Sequence, residues 1–282
     1  LKKNIGKVIL AGAGPGDPDL ITVKAADCLR RADVVLTDRL VSAEIIRRYV
    51  PAGAELVEVG KQCRRGISTP QETIDALLVK YAMQGKYVVR LKGGDVSFFS
   101  NILNELNVLA ANKIPYEIVP GVTAASGAAA YAGMPLTARG YATAVRFLTY
   151  YQSSLIGDAQ WKDLAQTNDT LVFYMSSETL NGLADKLIEH GIGRDKQLAV
   201  IEQATTPYQR VYTAPVHEYA SKLQGIEFLS PSLIVVGDVV GLHASLQWQE
   251  ESEERKYYFQ PLTAAVEPIA TATKNKRYAD RA

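Results

Sequence analysis

Between Val88 and Thr123 the chain sets two glycine loops, each at the end of a short β-branched run. Val88-Val-Arg-Leu-Lys92 runs into Gly93-Gly94-Asp95, and Ile118-Val119 runs into Pro120-Gly121-Val122-Thr123. Gly93 and Gly94 let backbone N–H groups come close to a ligand, and Asp95 supplies an acceptor for a ribose hydroxyl or an amine. Two such strand ends form one ligand crevice at the carboxyl edge of a sheet. Asp38 and Lys61 each end a further predicted strand on that edge, adding an acid and a base. Arg39, Lys61, Arg64, Arg65, Lys92 and Arg139 lie near it. Singly each reads as a solvated loop charge. Together they suit a substrate with several carboxylates.

Other chemistries find less support. Gly12-Ala13-Gly14-Pro15-Gly16 follows a strand, but a dinucleotide fingerprint needs a third small residue where Asp17 and Pro18 stand. An acid there opposes a pyrophosphate, so a tight turn without phosphate is expected. His190, His217 and His243 share no ligand spacing and read as surface or capping residues, so no metal is expected. No Gly-x-Ser-x-Gly elbow or His-Glu-x-x-His helix occurs. A formal net charge of +1 over 282 residues gives no general attraction to nucleic acid or membrane. The longest apolar runs fall short of a bilayer span, and no signal-peptide pattern opens the chain. Cys28 and Cys63 read as free thiols, which fits a cytoplasmic protein.

The elements that must position these residues alternate. Lys7–Ala11 is a predicted strand, Leu20–Arg31 a helix with Leu20, Val23, Ala26 and Leu29 on one face, and Ala32–Thr37 a strand. Helix Ala43–Tyr49 and strand Glu55–Val59 follow, then helix Pro70–Gln84, capped by Ser68 or Thr69. Strand Tyr87–Leu91, a helical run and strand Tyr116–Val119 lead to a helix of small residues, Ala124–Ala132. The second half offers strands at Ala144–Thr149, Thr170–Tyr174, Gln197–Glu202, Val211–Thr213 and Ser232–Val239, and a helix at Leu180–His190. The expected fold is α/β, with a mostly parallel N-terminal sheet and a mixed C-terminal one. Residues 1–120 and 143–245 would form two α/β domains joined through a helical linker at 121–142. The charged and polar tail, 246–282, reads as mobile or partner-dependent.

With these residues in view, the chain resembles the tetrapyrrole (class III S-adenosylmethionine-dependent) methyltransferases, in the branch that acts on uroporphyrinogen III. The resemblance rests on Gly12–Pro18, Thr37–Ser42, Val59-Gly60-Lys61, Pro70-Gln71-Glu72, Arg90–Asp95, Tyr174-Met175, Glu202–Pro207 and Ser230–Val239. Its most specific piece is Pro120–Thr137, Pro-Gly-Val-Thr-Ala-Ala-Ser-Gly-Ala-Ala-Ala-Tyr-Ala-Gly-Met-Pro-Leu-Thr. The resemblance implies S-adenosylmethionine in a cleft between two α/β domains of a homodimer. By position it assigns the cofactor to Pro15, Gly93, Gly94, Asp95, Phe98, Thr123, Ala124, Met175 and Ala204. Asp38 becomes the proton acceptor and Lys61 the donor. Arg39, Arg64, Arg65, Arg139 and Tyr174 become substrate contacts. The implied reaction methylates two ring carbons of uroporphyrinogen III to give precorrin-2, the branch point to sirohaem and cobalamin.

The chain also departs from the family pattern. Asn101 stands where the family usually has an Arg, Asn104 where it has the first Glu of a pair, Ala138 where it has a His, and Ile67 where it has a His or polar residue. Replacing Arg by Asn deletes a permanent charge and a bidentate donor. Three outcomes are open: Arg64, Arg65 or Arg139 supplies the charge, another tetrapyrrole is the substrate, or the chain binds without catalysing. A relative modifying a macromolecule would carry a stronger basic field. No residues remain to encode a fused dehydrogenase or chelatase domain, so none is expected.

Overall fold

Val8, Ile9, Leu10 and Ala11 are all fully buried, as are Val88, Val89 and Leu91. Strands without polar alternation have to be covered on both faces, which is the condition of a parallel sheet between helical layers. The structure, a computed structural model, describes residues 4–62, 67–150, 156–174 and 179–260, and the backbone alone of 61, 62 and 67.

Strand β1 (Lys7–Gly12), helix α1 (Val23–Arg30), β2 (Val34–Thr37), α2 (Ala43–Tyr49) and β3 (Glu55–Glu58) open the chain. A two-residue hairpin, β4 (Lys61–Gln62) with β5 (Ile67–Ser68), precedes α3 (Gln71–Met83), β6 (Tyr87–Lys92), α4 (Ile102–Ala111) and β7 (Tyr116–Val119). The first sheet has the order β3-β2-β6-β1-β7 and is parallel throughout. Val8 and Leu10 of β1 pack towards α3 and α4, whereas Ile9 and Ala11 pack towards α1 and α2. This is the two-residue period of a strand read out on two helical layers.

Helix α5 (Ala124–Tyr131) then leads into β8 (Val145–Thr149), α6 (Asp158–Gln166), β9 (Thr170–Tyr174), α7 (Leu180–Glu189), β10 (Gln197–Glu202) and β11 (Arg210–Pro215). Short helices α8 (Tyr219–Leu223) and α9 (His243–Leu246) flank β12 (Ser232–Val236). The second sheet, β11-β10-β12-β9-β8, is mixed: β8 and β9 are parallel and the other pairs antiparallel. Trp161, Leu183 and Leu187 cover one face, and Ala125 and Ala128 of α5 cover the other. The linker helix therefore rests on the second sheet. The expected α/β class, parallel then mixed, is the observed one.

Several local readings change. Helix α1 begins at Val23, capped by the Thr22 hydroxyl, and Leu20 belongs to a separate 3₁₀ turn. Val23 is 79% exposed, and the inward face is Ala25, Ala26, Cys28 and Leu29. Pro70, not Ser68 or Thr69, stands at the start of α3, with no side-chain cap. The first part of the tail, residues 250–260, is hydrogen-bonded to the body instead of standing apart.

Candidate active site

The crevice is built at the carboxyl ends of β1, β2, β6 and β7. Gly14 and Gly94 exchange backbone hydrogen bonds of 3.1 and 2.7 Å, which clips the β1 loop to the β6 loop. Gly12 and Gly121 sit against that clip: a Cβ on Gly12 would lie 2.6 Å from Gly94 O, and one on Gly121 2.4 Å from it. Both positions exclude a side chain on contact alone. Gly94 has φ +68°, and only Ala124 N at 3.7 Å faces its missing Cβ, so there is room before it. Its N–H is already given to Gly14, so the left-handed backbone, rather than a free donor, explains the glycine. Asp95 is buried, and its two carboxylate oxygens accept the N–H groups of Ser97 and Gly121, each at 2.7 Å. It pins the β6 and β7 loops together and keeps lone pairs for a ligand.

The second sheet supplies the opposite wall. Thr205 Oγ1 accepts the Asp17 N–H at 2.9 Å, and a Cβ on Gly16 would lie 2.9 Å from Ala204 O. Pro15 is buried against α5, where a Cβ on Gly127 would come within 2.5 Å of its ring. The small residues of that helix allow this close approach. Gln203 (φ +45°) and Thr205 (φ +66°) hold left-handed backbone in a fully buried loop, a cost that tends to mark functional segments. At the end of β9 the Tyr174 hydroxyl lies 2.7 Å from Thr123 Oγ1 and accepts the Ala125 N–H at 3.1 Å. Burial pushes its phenol above the ordinary value. Phe99 stacks at a tilt on Tyr174 (4.8 Å), and Phe98 meets Phe147 edge-on (5.6 Å). Pro15, Gly93, Gly94, Asp95, Phe98, Thr123 and Ala204 on loops, Ala124 at the start of α5 and Tyr174 at the end of β9 are thus joined by these contacts.

Asp38 ends β2 on the same edge. Its turn is closed by the Val41 N–H on Asp38 O (3.2 Å), and Leu40 O would stand 2.8 Å from a Cβ on Gly93. Arg90 Nη2 donates to Asp38 Oδ1 at 2.5 Å, and Arg90 Nε donates to Glu105 Oε1 at 3.0 Å. Lys92 Nζ reaches the same Glu105 oxygen at 2.9 Å. Burial opposes the Arg90 charge, but Asp38 and Glu105 outweigh it and hold its pKa above the ordinary value. Burial first, and Arg90 second, pull Lys92 below its ordinary value. Lys92 is therefore an internal residue and not part of the basic rim expected for it.

This buried network of Arg90, Lys92 and Glu105 escaped the sequence reading, although it left a signal there. Arg90 and Lys92 face one way from an otherwise apolar strand, and a buried charge requires a partner. Glu105, one helical segment on, is that partner. Arg39 is half-buried on the Asp38 turn. Arg139 is exposed on the turn Ala138–Ala142, which feeds β8 at the end paired with Thr170, about 13 Å along β9 from Tyr174. Among the described residues no hydrogen bond, ion pair or ring contact joins Arg139 to the crevice. Lys61 lies on β4, its side chain outside the described residues, as are Arg64, Arg65 and Met175. Asn101 takes left-handed backbone (φ 56°, ψ 36°) just before α4, a conformation Asn accommodates better than most residues, and its Nδ2 is 3.5 Å from Gln71 Oε1.

A parallel sheet with glycine loops at its strand ends, closed by a mixed sheet, defines an α/β protein with a ligand cleft between two sheets. The chain belongs to the tetrapyrrole (corrin/porphyrin) methylases, whose family model matches residues 7–220. It is 47% identical over 243 residues to a sirohaem synthase of Acinetobacter baylyi, covering 86% of this chain and 53% of that protein. The chain spans about half the length of the curated relatives it matches. A solved uroporphyrin-III C-methyltransferase from Thermus thermophilus is 37% identical, with a TM-score of 0.72 over 87% of this chain and 98% of that one. A uroporphyrin-III C-methyltransferase from the same organism, solved with S-adenosylhomocysteine, is 34% identical, with a TM-score of 0.69 over 84% of this chain and all of that one.

Proposed function

We propose that this chain methylates two ring carbons of uroporphyrinogen III, with S-adenosylmethionine as donor, to give precorrin-2. One observation carries the reading. Asp38, its side chain 28% exposed and one carboxylate oxygen held by Arg90, sits on a turn packed against the Gly93-Gly94-Asp95 loop. That supports a proton-accepting role for Asp38 beside a glycine-lined cradle.

The cradle fits the donor. Backbones meet at Gly12 and Gly121, where a Cβ would collide with Gly94 O, and space is left before Gly94 itself. Pro15, Gly93, Gly94, Asp95, Phe98, Thr123, Ala124 and Ala204 would hold the donor, with Met175 assigned by family resemblance. When bound, S-adenosylmethionine supplies a methyl group already activated by its sulfonium. The protein then chiefly has to align a pyrrole carbon with it, and such positioning is worth about 7–11 kcal/mol. Phe98, Phe99, Phe147 and Tyr174 offer apolar ring faces for a macrocycle. Methyl transfer leaves a cationic, iminium-like ring, and Asp38 Oδ2 takes the proton that this ring loses, while Arg90 fixes the carboxylate through Oδ1. Lys61 serves as donor. The eight substrate carboxylates meet Arg39, with Arg64, Arg65 and Arg139 as further partners.

The pathway is sirohaem or cobalamin synthesis, and the setting is a cytoplasmic homodimer. Among the described residues no helix is long and apolar enough to cross a membrane. We retain 1–120 and 143–245 as the two domains, joined through 121–142, with 246–282 as the tail.

The test is an anaerobic assay of the protein with S-adenosylmethionine and uroporphyrinogen III, read by product mass. A gain of two methyl groups supports the reading and shows that Asn101 is tolerated. No gain, with S-adenosylhomocysteine still bound in calorimetry, rejects this substrate.

A further inference from the structure

Residues 250–260 lie beyond the segment matched by the family model, which ends at residue 220, and they contain no helix or strand. They are nonetheless tied down along their length. Glu251 Oε1 accepts the Val211 N–H at 2.7 Å, and Arg210 Nη2 donates to the carbonyls of Ser252 and Glu253 at 2.9 and 3.0 Å. Arg255 Nη2 donates to Glu202 Oε1 at 3.1 Å, an oxygen that also takes the Leu229 N–H at 2.6 Å. Gln203 brackets the next residues: its Nε2 donates to Lys256 O at 2.8 Å, and its Oε1 accepts the Tyr258 N–H at 2.7 Å. Phe259 is buried, edge-on to the Tyr258 ring at 5.1 Å. The Tyr258 hydroxyl ends 2.7 Å from Ser42 Oγ, on the first sheet's side of the cleft.

Both anchors belong to site loops. Gln203 precedes Ala204, whose carbonyl backs Gly16. Ser42 is buried, caps α2 by accepting the Glu44 N–H at 3.3 Å, and follows the Asp38 turn that packs on Gly93. A polar segment is ordered only where its contacts outweigh the entropy they remove. Here the Gln203 bracket and the Tyr258–Ser42 contact fall on the two loops that face each other across the cleft.

We propose that residues 251–259 are a strap of the methyl-transfer site and that Tyr258 is a positioning residue. Its backbone is fixed to the second sheet through Gln203, and its hydroxyl sets the Asp38–Ser42 turn from the first. The inference rests on the proposed methyl transfer for its kinetic readout alone.

The test compares full-length wild type, Tyr258→Phe, Ser42→Ala and the double variant. Tyr258→Phe removes one hydroxyl, and kcat for methyl transfer is expected to fall about fivefold, as for loss of one hydrogen bond. The KM for S-adenosylmethionine stays within about twofold and amide exchange across residues 38–45 speeds up, since the hydroxyl acts on the turn alone. The double variant loses no more kcat than the worse single one, because both changes break the same bond. Losses that multiply, or a lowered Tm with kcat and exchange unchanged, overturn the proposal. If wild type does not methylate uroporphyrinogen III, the functional reading fails on its own. Faster exchange across 38–45 in Tyr258→Phe then still supports the strap, and unchanged exchange overturns it.

Discussion

Arg90 Nη2 stands 2.5 Å from Asp38 Oδ1, and the same guanidinium reaches Glu105 Oε1 at 3.0 Å from its Nε. One cation thus joins an acid at the cleft to an acid fully withdrawn from water. The exposed acid is oriented by a charge that the buried one holds in place.

Asp38→Asn keeps the shape of the side chain and removes its capacity to take a proton. Turnover is expected to fall about 10²-fold or more, the usual share of a general base. S-adenosylhomocysteine affinity in calorimetry should stay within about twofold, because the change touches none of the cradle residues. Turnover near the wild-type rate would remove Asp38 from the reaction.

Glu105 answers for two buried cations. Glu105→Gln leaves Arg90 and Lys92 facing each other without their shared anion, and breaking such a buried pair costs about 3–5 kcal/mol. Chemical unfolding should show that loss. Adding Lys92→Met to Glu105→Gln should recover part of it, since one uncompensated charge goes. A double variant no more stable than Glu105→Gln would show that repulsion between the cations is not the cause.

Most of this architecture is legible in residue patterns, and the exceptions have physical reasons. Strands Thr170–Tyr174 and Gln197–Glu202 stand where their apolar runs place them, because burial on both faces demands them, and Tyr116–Val119 stands where its β-branched run places it, as a half-exposed edge strand. Helix α1 departs from its periodicity because Val23 follows helical spacing but turns to solvent, and the Thr22 cap decides the start. The crevice edge followed from strand ends alone. What stayed hidden is partnership. Lys92 looks like a rim cation until Glu105 comes within 2.9 Å of it, and residues 251–258 look like a free tail until Gln203 and Ser42 are close. Long-range pairs of this kind leave no local period to read.

Glu117 on β7 joins Lys7 of β1 and Lys24 of α1, each at 2.5 Å. Hydrogen bonds from Lys24 and then Lys7 bring its pKa down to about 2. The folded protein therefore binds this proton less readily than the unfolded chain does. Its contribution is full above pH 4.5 and is lost as pH falls towards 2. Because both lysines are well exposed, the effect is modest and screened by salt. Wild type should be more stable than Glu117→Gln at pH 6 in low salt, and the gap should close on acidification. A gap independent of pH would assign the difference to packing.

Gly121 separates a fold requirement from a ligand requirement. A Cβ there would lie 2.4 Å from Gly94 O and 2.9 Å from Gly12 Cα, so the backbones of three strand-end loops would have to part. Gly121→Ala should weaken S-adenosylhomocysteine binding at least about tenfold by opening the cradle, since such contacts cost more than a hydrogen bond to relieve. Gly53→Ala is the control: nothing lies within 4 Å of its missing Cβ, and both affinity and Tm should match wild type. If Gly121→Ala bound the ligand as wild type does, the three-glycine junction would be a packing device with no part in the cradle.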